Sequence, residues 1–207
     1  MNPAEQHLSA VCKRFARVVG KHEPYPTKFE KKKDPYRALV RSVVYQQLSG
    51  KAAGTIHGRM LALFPGKDHP DPDDLLAAPP ELLRGAGLSR QKIAALKDVS
   101  QKRIDGIIPE ARRLARMDNE EIIERLTQAR GVGRWTVEMY LMFTLGRSDV
   151  LPIDDLGVRK GAEKLYRREF TPKELGAYGA RWAPWRSAAA WHLWRLLDTQ
   201  TPEQSKI

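Results

Sequence analysis

The stretch Leu126-Thr127-Gln128-Ala129-Arg130-Gly131-Val132-Gly133-Arg134-Trp135-Thr136-Val137-Glu138-Met139-Tyr140 closes one helical pattern and opens another across a Gly-Val-Gly turn. Two glycines permit a tight turn and leave the backbone approachable. The N–H groups of the turn and of the new helix start then point outward together, which makes a ready anion site for one backbone phosphate. Arg130 and Arg134 flank it with positive charge, and Val132 is expected to pack inward and fix the hairpin. An ordinary helix–turn–helix connection would use the same residues, so the turn alone does not separate the two readings.

Further on, Val150-Leu151-Pro152-Ile153-Asp154-Asp155-Leu156-Gly157-Val158-Arg159-Lys160 carries an apolar run into two adjacent carboxylates at the start of another helix. Neighbouring acids in apolar surroundings repel and desolvate each other, so abnormal titration of one is expected. Asp154 can be a plain N-cap. That role is compatible with chemistry, because a capping carboxylate is held rigidly by backbone N–H groups.

The rest of the chain repeats helical spacing. Leu8, Val11, Cys12, Phe15, Val18 and Val19 form one stripe; Tyr36, Leu39, Val40, Val43 and Val44 form another. Further helices are predicted over 51–64, 89–104, 119–129, 134–145, 156–168, 172–181 and 185–198, about ten short helices in all. Thr171-Pro172-Lys173-Glu174 reads as a capped start, and Ser89 can cap the helix after it. The Pro-rich segments at 65–73 and Pro79-Pro80 read as surface turns. Lys31-Lys32-Lys33-Asp34-Pro35 is a polar break and a candidate lobe boundary. Sustained polar–apolar alternation is absent, so the expected class is all-α.

Composition bounds the function. The 207 residues carry 36 Lys and Arg against 25 Asp and Glu, a net +11 that points to a polyanionic partner, nucleic acid first. A single cysteine, Cys12, excludes an internal disulfide framework and a four-Cys metal site, and reads as a buried apolar filler. Nothing approaches ~18 uninterrupted apolar residues, and the first residues lack a signal-peptide pattern. The chain therefore reads as soluble and intracellular: cytoplasm or nucleoid in a bacterium, nucleus in a eukaryote.

Taken together, the hairpin, its spacing to Pro152-Ile153-Asp154 and the following helix resemble the helix–hairpin–helix DNA glycosylases that end in a Gly-Pro-rich loop and catalytic Asp. Two further segments agree. Gln46-Gln47-Leu48-Ser49 is similar to an early element of that family. Trp185-Arg186-Ser187 through Trp194 is similar to the C-terminal segment of the 3-methyladenine DNA glycosylase II branch. The resemblance spans roughly 35–198. It departs at Arg130, where many members have Pro.

The resemblance implies a single unit over 1–207 built from two helical lobes. One covers about 36–145 and includes the hairpin at 126–145. The other covers about 1–35 plus 146–207, with the active site in the cleft between them. It implies hydrolysis of the N-glycosidic bond of alkylated purines (3-methyladenine and 7-methylguanine type) in base excision repair, on double-stranded DNA holding a damaged base, by a monomer. Another damaged base, or a non-catalytic DNA-binding module, is the alternative. The catalytic acid is expected at Asp154, with Asp155 as a helix-start or surface acid. Backbone-cleaving members carry a Schiff-base Lys where this chain has Trp135, and an indole cannot form an imine, so lyase activity is not expected.

A flipped-out base needs flat apolar walls. Trp135 and Trp194 match pocket positions, with Tyr140, Tyr45 and Met139 as weaker candidates; helix packing is the plain alternative for Trp135. Gln47, Leu48 or Leu88 would fill the vacated place in the duplex, although Leu88 equally suits a staple at a helix start. Gly131, Val132, Gly133, Arg134, Lys51 and Lys92 are the expected backbone contacts, with solvated charge as the alternative for the lysines. No cofactor and no metal site is expected beyond a monovalent cation, Na or K, on the hairpin.

Overall fold

The computed structural model describes residues 1–26 and 34–197. Lys31, Lys32 and Lys33, read as a break, lie outside the described residues, as does the end of the helix expected at 185–198. Among the described residues the chain is all helical, without strands. None of those helices is long and apolar enough to cross a membrane. The chain divides into two compact units, one over 34–140 and one over 1–26 with 141–197.

The first unit is organised by α7 (Arg90–Ile104), which packs against α3 (Pro35–Tyr45), α5 (Pro72–Ala77) and α6 (Pro80–Gly85). The stripe Leu39, Val40, Val43 and Val44 of α3 is buried, as are Ile93, Leu96 and Val99 of α7. One polar pair is enclosed with them, Tyr36 Oη and Ser100 Oγ at 3.1 Å. Burial pushes the Tyr36 phenol up to about 12. The remaining helices here are α4 (Gly50–Ala62), α8 (Ala111–Leu114), α9 (Asn119–Leu126) and the first part of α10 (Arg134–Phe143). α5 and α6 correct the expectation of plain turns. Pro72 and Pro80 each sit at a helix start, where the missing N–H costs no hydrogen bond and the fixed φ is already helical.

The second unit contains α1 (Pro3–Val11), α2 (Lys13–Ala16), α11 (Leu156–Tyr166), α12 (Pro172–Gly179) and α13 (Arg186–Arg195). Thr171 and Glu174 cap α12 reciprocally. Phe15, Tyr166, Tyr178 and Trp182 form an aromatic cluster, with Phe15 and Trp182 edge to face at 5.4 Å. α11 and α13 touch through Gly161: a Cβ there would lie 2.2 Å from the Leu193 carbonyl oxygen. The N-terminal stripe is not one helix. Cys12 is extended (φ −149°, ψ 106°) and separates α1 from α2. It is half-buried, not a core filler, and its thiol lies 3.0 Å from Tyr166 Oη.

Candidate active site and nucleic-acid interface

In the 34–140 unit, α7 holds two exposed loops. The hairpin runs from α9 to α10. Gly131 has φ 78°, Val132 is buried, and Gly131 and Gly133 are exposed. The Arg130 N–H donates to Asp98 Oδ2 at 2.7 Å. A Cβ on Gly131 would come 3.1 Å from the Ala95 Cβ, so glycine is needed there for both dihedral and space. A Cβ on Gly133 would meet nothing within 4 Å. The hairpin surface is open at Gly133.

The second loop follows α3. Gln46 has φ −53° and ψ 134°, Gln47 has φ 58°, and the Leu48 N–H donates to the Tyr45 carbonyl at 3.3 Å. These values describe a type II β-turn with glutamine where glycine is usual. Gln47 is exposed and Leu48 is 39% exposed.

Three expected DNA contacts stand differently. Leu88 is only 3% exposed, and its N–H donates to the Leu83 carbonyl; the side chain lies in the core just before α7, not on the surface. The Lys92 ammonium is engaged within its own unit. Its Nζ donates to the carbonyls of Val44 at 2.6 Å and Gln46 at 2.9 Å, closing the C-terminus of α3. Burial lowers its pKa. Arg134 is engaged by acids, with two bonds to Glu120 at 2.9 and 2.6 Å and one to Glu138 at 3.1 Å. Lys51, in the first turn of α4, is exposed.

The aromatic candidates divide by exposure. Trp135 is 41% exposed, which core packing alone does not explain. Met139 and Tyr140 on the same helix are buried, and the Tyr140 hydroxyl has no hydrogen-bond partner among the described residues. Burial drives its pKa well above the usual phenol value. Tyr45 carries the Arg41 guanidinium over its ring at 3.8 Å and meets His57 edge to face. That ring already stacks on a cation.

In the other unit the two carboxylates separate. Asp154 is exposed in a turn. Asp155 is half-buried and is the N-cap of α11: its Oδ1 accepts the Val158 N–H at 2.8 Å and the Trp194 indole Nε1–H at 2.8 Å. The cap expected at Asp154 is therefore one residue later. Trp194 is buried, with Phe143 at 6.1 Å. Gly157 makes this approach possible, since a Cβ there would lie 2.8 Å from Trp194 Cδ1 and 3.1 Å from Asp155 Oδ1. Leu156, beside the acid, is 60% exposed.

The Trp185-Arg186-Ser187 segment anchors the chain leading to that acid. Arg186 Nε and Nη2 donate to Asp149 at 2.7 and 2.9 Å. The Ser187 hydroxyl accepts the Val150 N–H and donates to the Arg147 carbonyl. Gln46, Asp98, Asp149 and Gly157 were missed by sequence reasoning. Each acts on a partner fixed only by the fold; the sole hint was that Gln46 and Gly157 stand inside recognised segments. Among the described residues no cluster of His, Cys, Asp and Glu could hold a metal ion.

Known proteins agree with this geometry. The family model described as HhH-GPD superfamily base excision DNA repair protein matches residues 40–186. The chain is 40% identical to DNA-3-methyladenine glycosylase 1 of Schizosaccharomyces pombe, over 100% of this chain and 93% of that one. The structure of the S. pombe 3-methyladenine DNA glycosylase with abasic DNA superposes with a TM-score of 0.81, covering 94% of this chain and 96% of that one. A DNA-3-methyladenine glycosidase from Bacillus halodurans is 35% identical with a TM-score of 0.82, covering 94% and 88%. This chain belongs to the HhH-GPD superfamily of base excision DNA repair proteins.

Proposed function

We propose that this protein is a monofunctional DNA glycosylase that binds double-stranded DNA as a monomer and hydrolyses the N-glycosidic bond of alkylated purines. The observation that carries the chemistry is a carboxylate, Asp155, held by two donors at the start of α11 beside a tryptophan. The relationship to named 3-methyladenine glycosylases supports the substrate class. As the base departs, the sugar gains oxocarbenium character, and a fixed carboxylate stabilises that cation without reorganising. It can also orient the attacking water. N3- and N7-alkylated purines are already cationic leaving groups, so strong acid catalysis is not required. Electron-rich indoles suit such bases through stacking and cation–π attraction, which favours the exposed Trp135 over the buried Trp194, Met139 and Tyr140 and over Tyr45.

The acid was expected at Asp154. Rigidity favours Asp155, because the cap and the indole hold Asp155, whereas Asp154 lies exposed in the preceding turn. Gly131 and Gly133 would offer backbone N–H groups to a phosphate, and Gln47 or Leu48 would fill the vacated stack. A monovalent cation on the hairpin would sit on backbone carbonyls; that of Gly131 accepts the Gln46 amide at 2.8 Å and keeps a second lone pair. The substrate sets the place of action, the compartment that holds the DNA.

The direct assay is release of free methylated purine from alkylated duplex DNA. The base should appear while the strand stays intact until alkali cleaves the abasic site. Immediate strand breaks would contradict a monofunctional enzyme. Excision confined to deaminated or oxidised bases would move the substrate class.

A further inference from the structure

The Tyr45–Leu48 turn is anchored more heavily than a surface loop needs. Lys92 closes it from below through Val44 and Gln46, as described. The Gln46 side chain then reaches sideways, its Nε2 donating to the Gly131 carbonyl at 2.8 Å. The same helix that supplies Lys92 holds the hairpin one and two turns later, through Ala95 against Gly131 and Asp98 on the Arg130 N–H. Between these anchors stands Gln47 with its left-handed backbone, φ 58°. A non-glycine residue in that region persists only where its surroundings over-determine it.

We infer that Lys92 and Gln46 are positioning residues, which mount the Gln47–Leu48 tip in register with the Gly131 hairpin so that gripping the phosphates and filling the emptied base position occur as one event. This rests on the glycosylase reading above. Neither residue needs to touch DNA. Without the mount the hairpin still binds a phosphate, but the tip must be ordered during base flipping, and misplacement by about 1 Å is enough to cost roughly a hundredfold.

Lys92→Met and Gln46→Met keep side-chain length and remove the donors. Four quantities are measured for each: the urea midpoint, affinity for undamaged duplex, affinity for duplex containing an abasic analogue, and single-turnover release of the alkylated base. Undamaged-duplex affinity should stay within about twofold, while abasic affinity and base release fall roughly ten- to a hundredfold. Lys92→Arg, which still donates to two carbonyls, should recover most of the loss, and it carries the test with Gln46→Met if Lys92→Met does not fold. In a Gln47→Gly/Leu48→Ala background, Gln46→Met should have little further effect, because coupled residues are not additive. Equal losses on undamaged duplex, an undiminished effect in that background, or no loss at all would each overturn the inference. If wild-type protein released no base, the glycosylase reading would fail, and the abasic-affinity arm would still judge the mount.

Discussion

Gln47 concentrates the tension between fold and function at a single residue. Its left-handed backbone costs an L side chain about 1–2 kcal/mol relative to an ordinary region. Gln47→Gly removes that cost, so the unfolding free energy should rise by about 1 kcal/mol in urea titration. Base release should fall, because the tip loses its side chain. A drop in stability would show that the side chain is needed for folding instead. At the hairpin, Gly133→Asp has room for its side chain, yet places a carboxylate where a phosphate would dock. Affinity should weaken on every duplex sequence alike, since phosphate contacts carry no base information; unchanged affinity would count against the anion site. The turn was legible because glycine suits its left-handed backbone, as at Gly131. Lys92 was not: a lysine in a first helical turn looks the same in sequence whether its ammonium meets solvent or carbonyls 46 and 48 residues away.

At the scale of elements, periodicity exposed the longer helices, α3, α7 and α11, because each buries a continuous stripe. It missed α5 and α6, which have six residues each and begin at prolines that look like breakers. It also ran α1 into α2, because an extended Cys12 leaves the apolar spacing intact. The α11 start shows what contacts add. Its two acids are chemically alike in sequence, and only the approach of Trp194 from α13 tells them apart. That approach depends on Gly157. Gly157→Ala gains up to about 1 kcal/mol of helix propensity, but its methyl drives the indole off Asp155. Base release should drop by tenfold or more while the thermal midpoint moves by only a few degrees. Unaltered excision would mean that the indole does not orient the acid.

For the molecule as a whole, the net charge of +11 brings the protein to DNA without being spent there. Arg134 is tied up by Glu120 and Glu138, and Lys92 by carbonyls. The slope of log affinity against log salt, about 0.9 per neutralised phosphate, should therefore correspond to far fewer phosphates than the net charge; a slope near ten would contradict this distribution of charge. Acid should also loosen the fold. His192 is enclosed, and burial outweighs the Glu5 carboxylate 3.5 Å away, pulling its pKa from 6.5 to about 4. The folded state holds it neutral while the unfolded chain protonates near 6.5, so its stabilisation is present above that pH and is lost as pH falls toward 4. Each unit of depression corresponds to about 1.4 kcal/mol. Urea midpoints should decline between pH 6.5 and 4, and in His192→Gln that decline should be shallower; identical slopes would clear His192. Asp155 is the positioned carboxylate proposed to perform the chemistry. Its most direct test is single-turnover release of an alkylated purine by Asp155→Asn and Asp154→Asn. Asparagine caps a helix as well as aspartate does, and its carbonyl can accept both the Val158 and Trp194 bonds, so the fold should persist. Base release should fall roughly a hundred- to a thousandfold in Asp155→Asn and stay within a few-fold of wild type in Asp154→Asn; a collapse in Asp154→Asn with near-normal Asp155→Asn would place the chemistry on Asp154 instead.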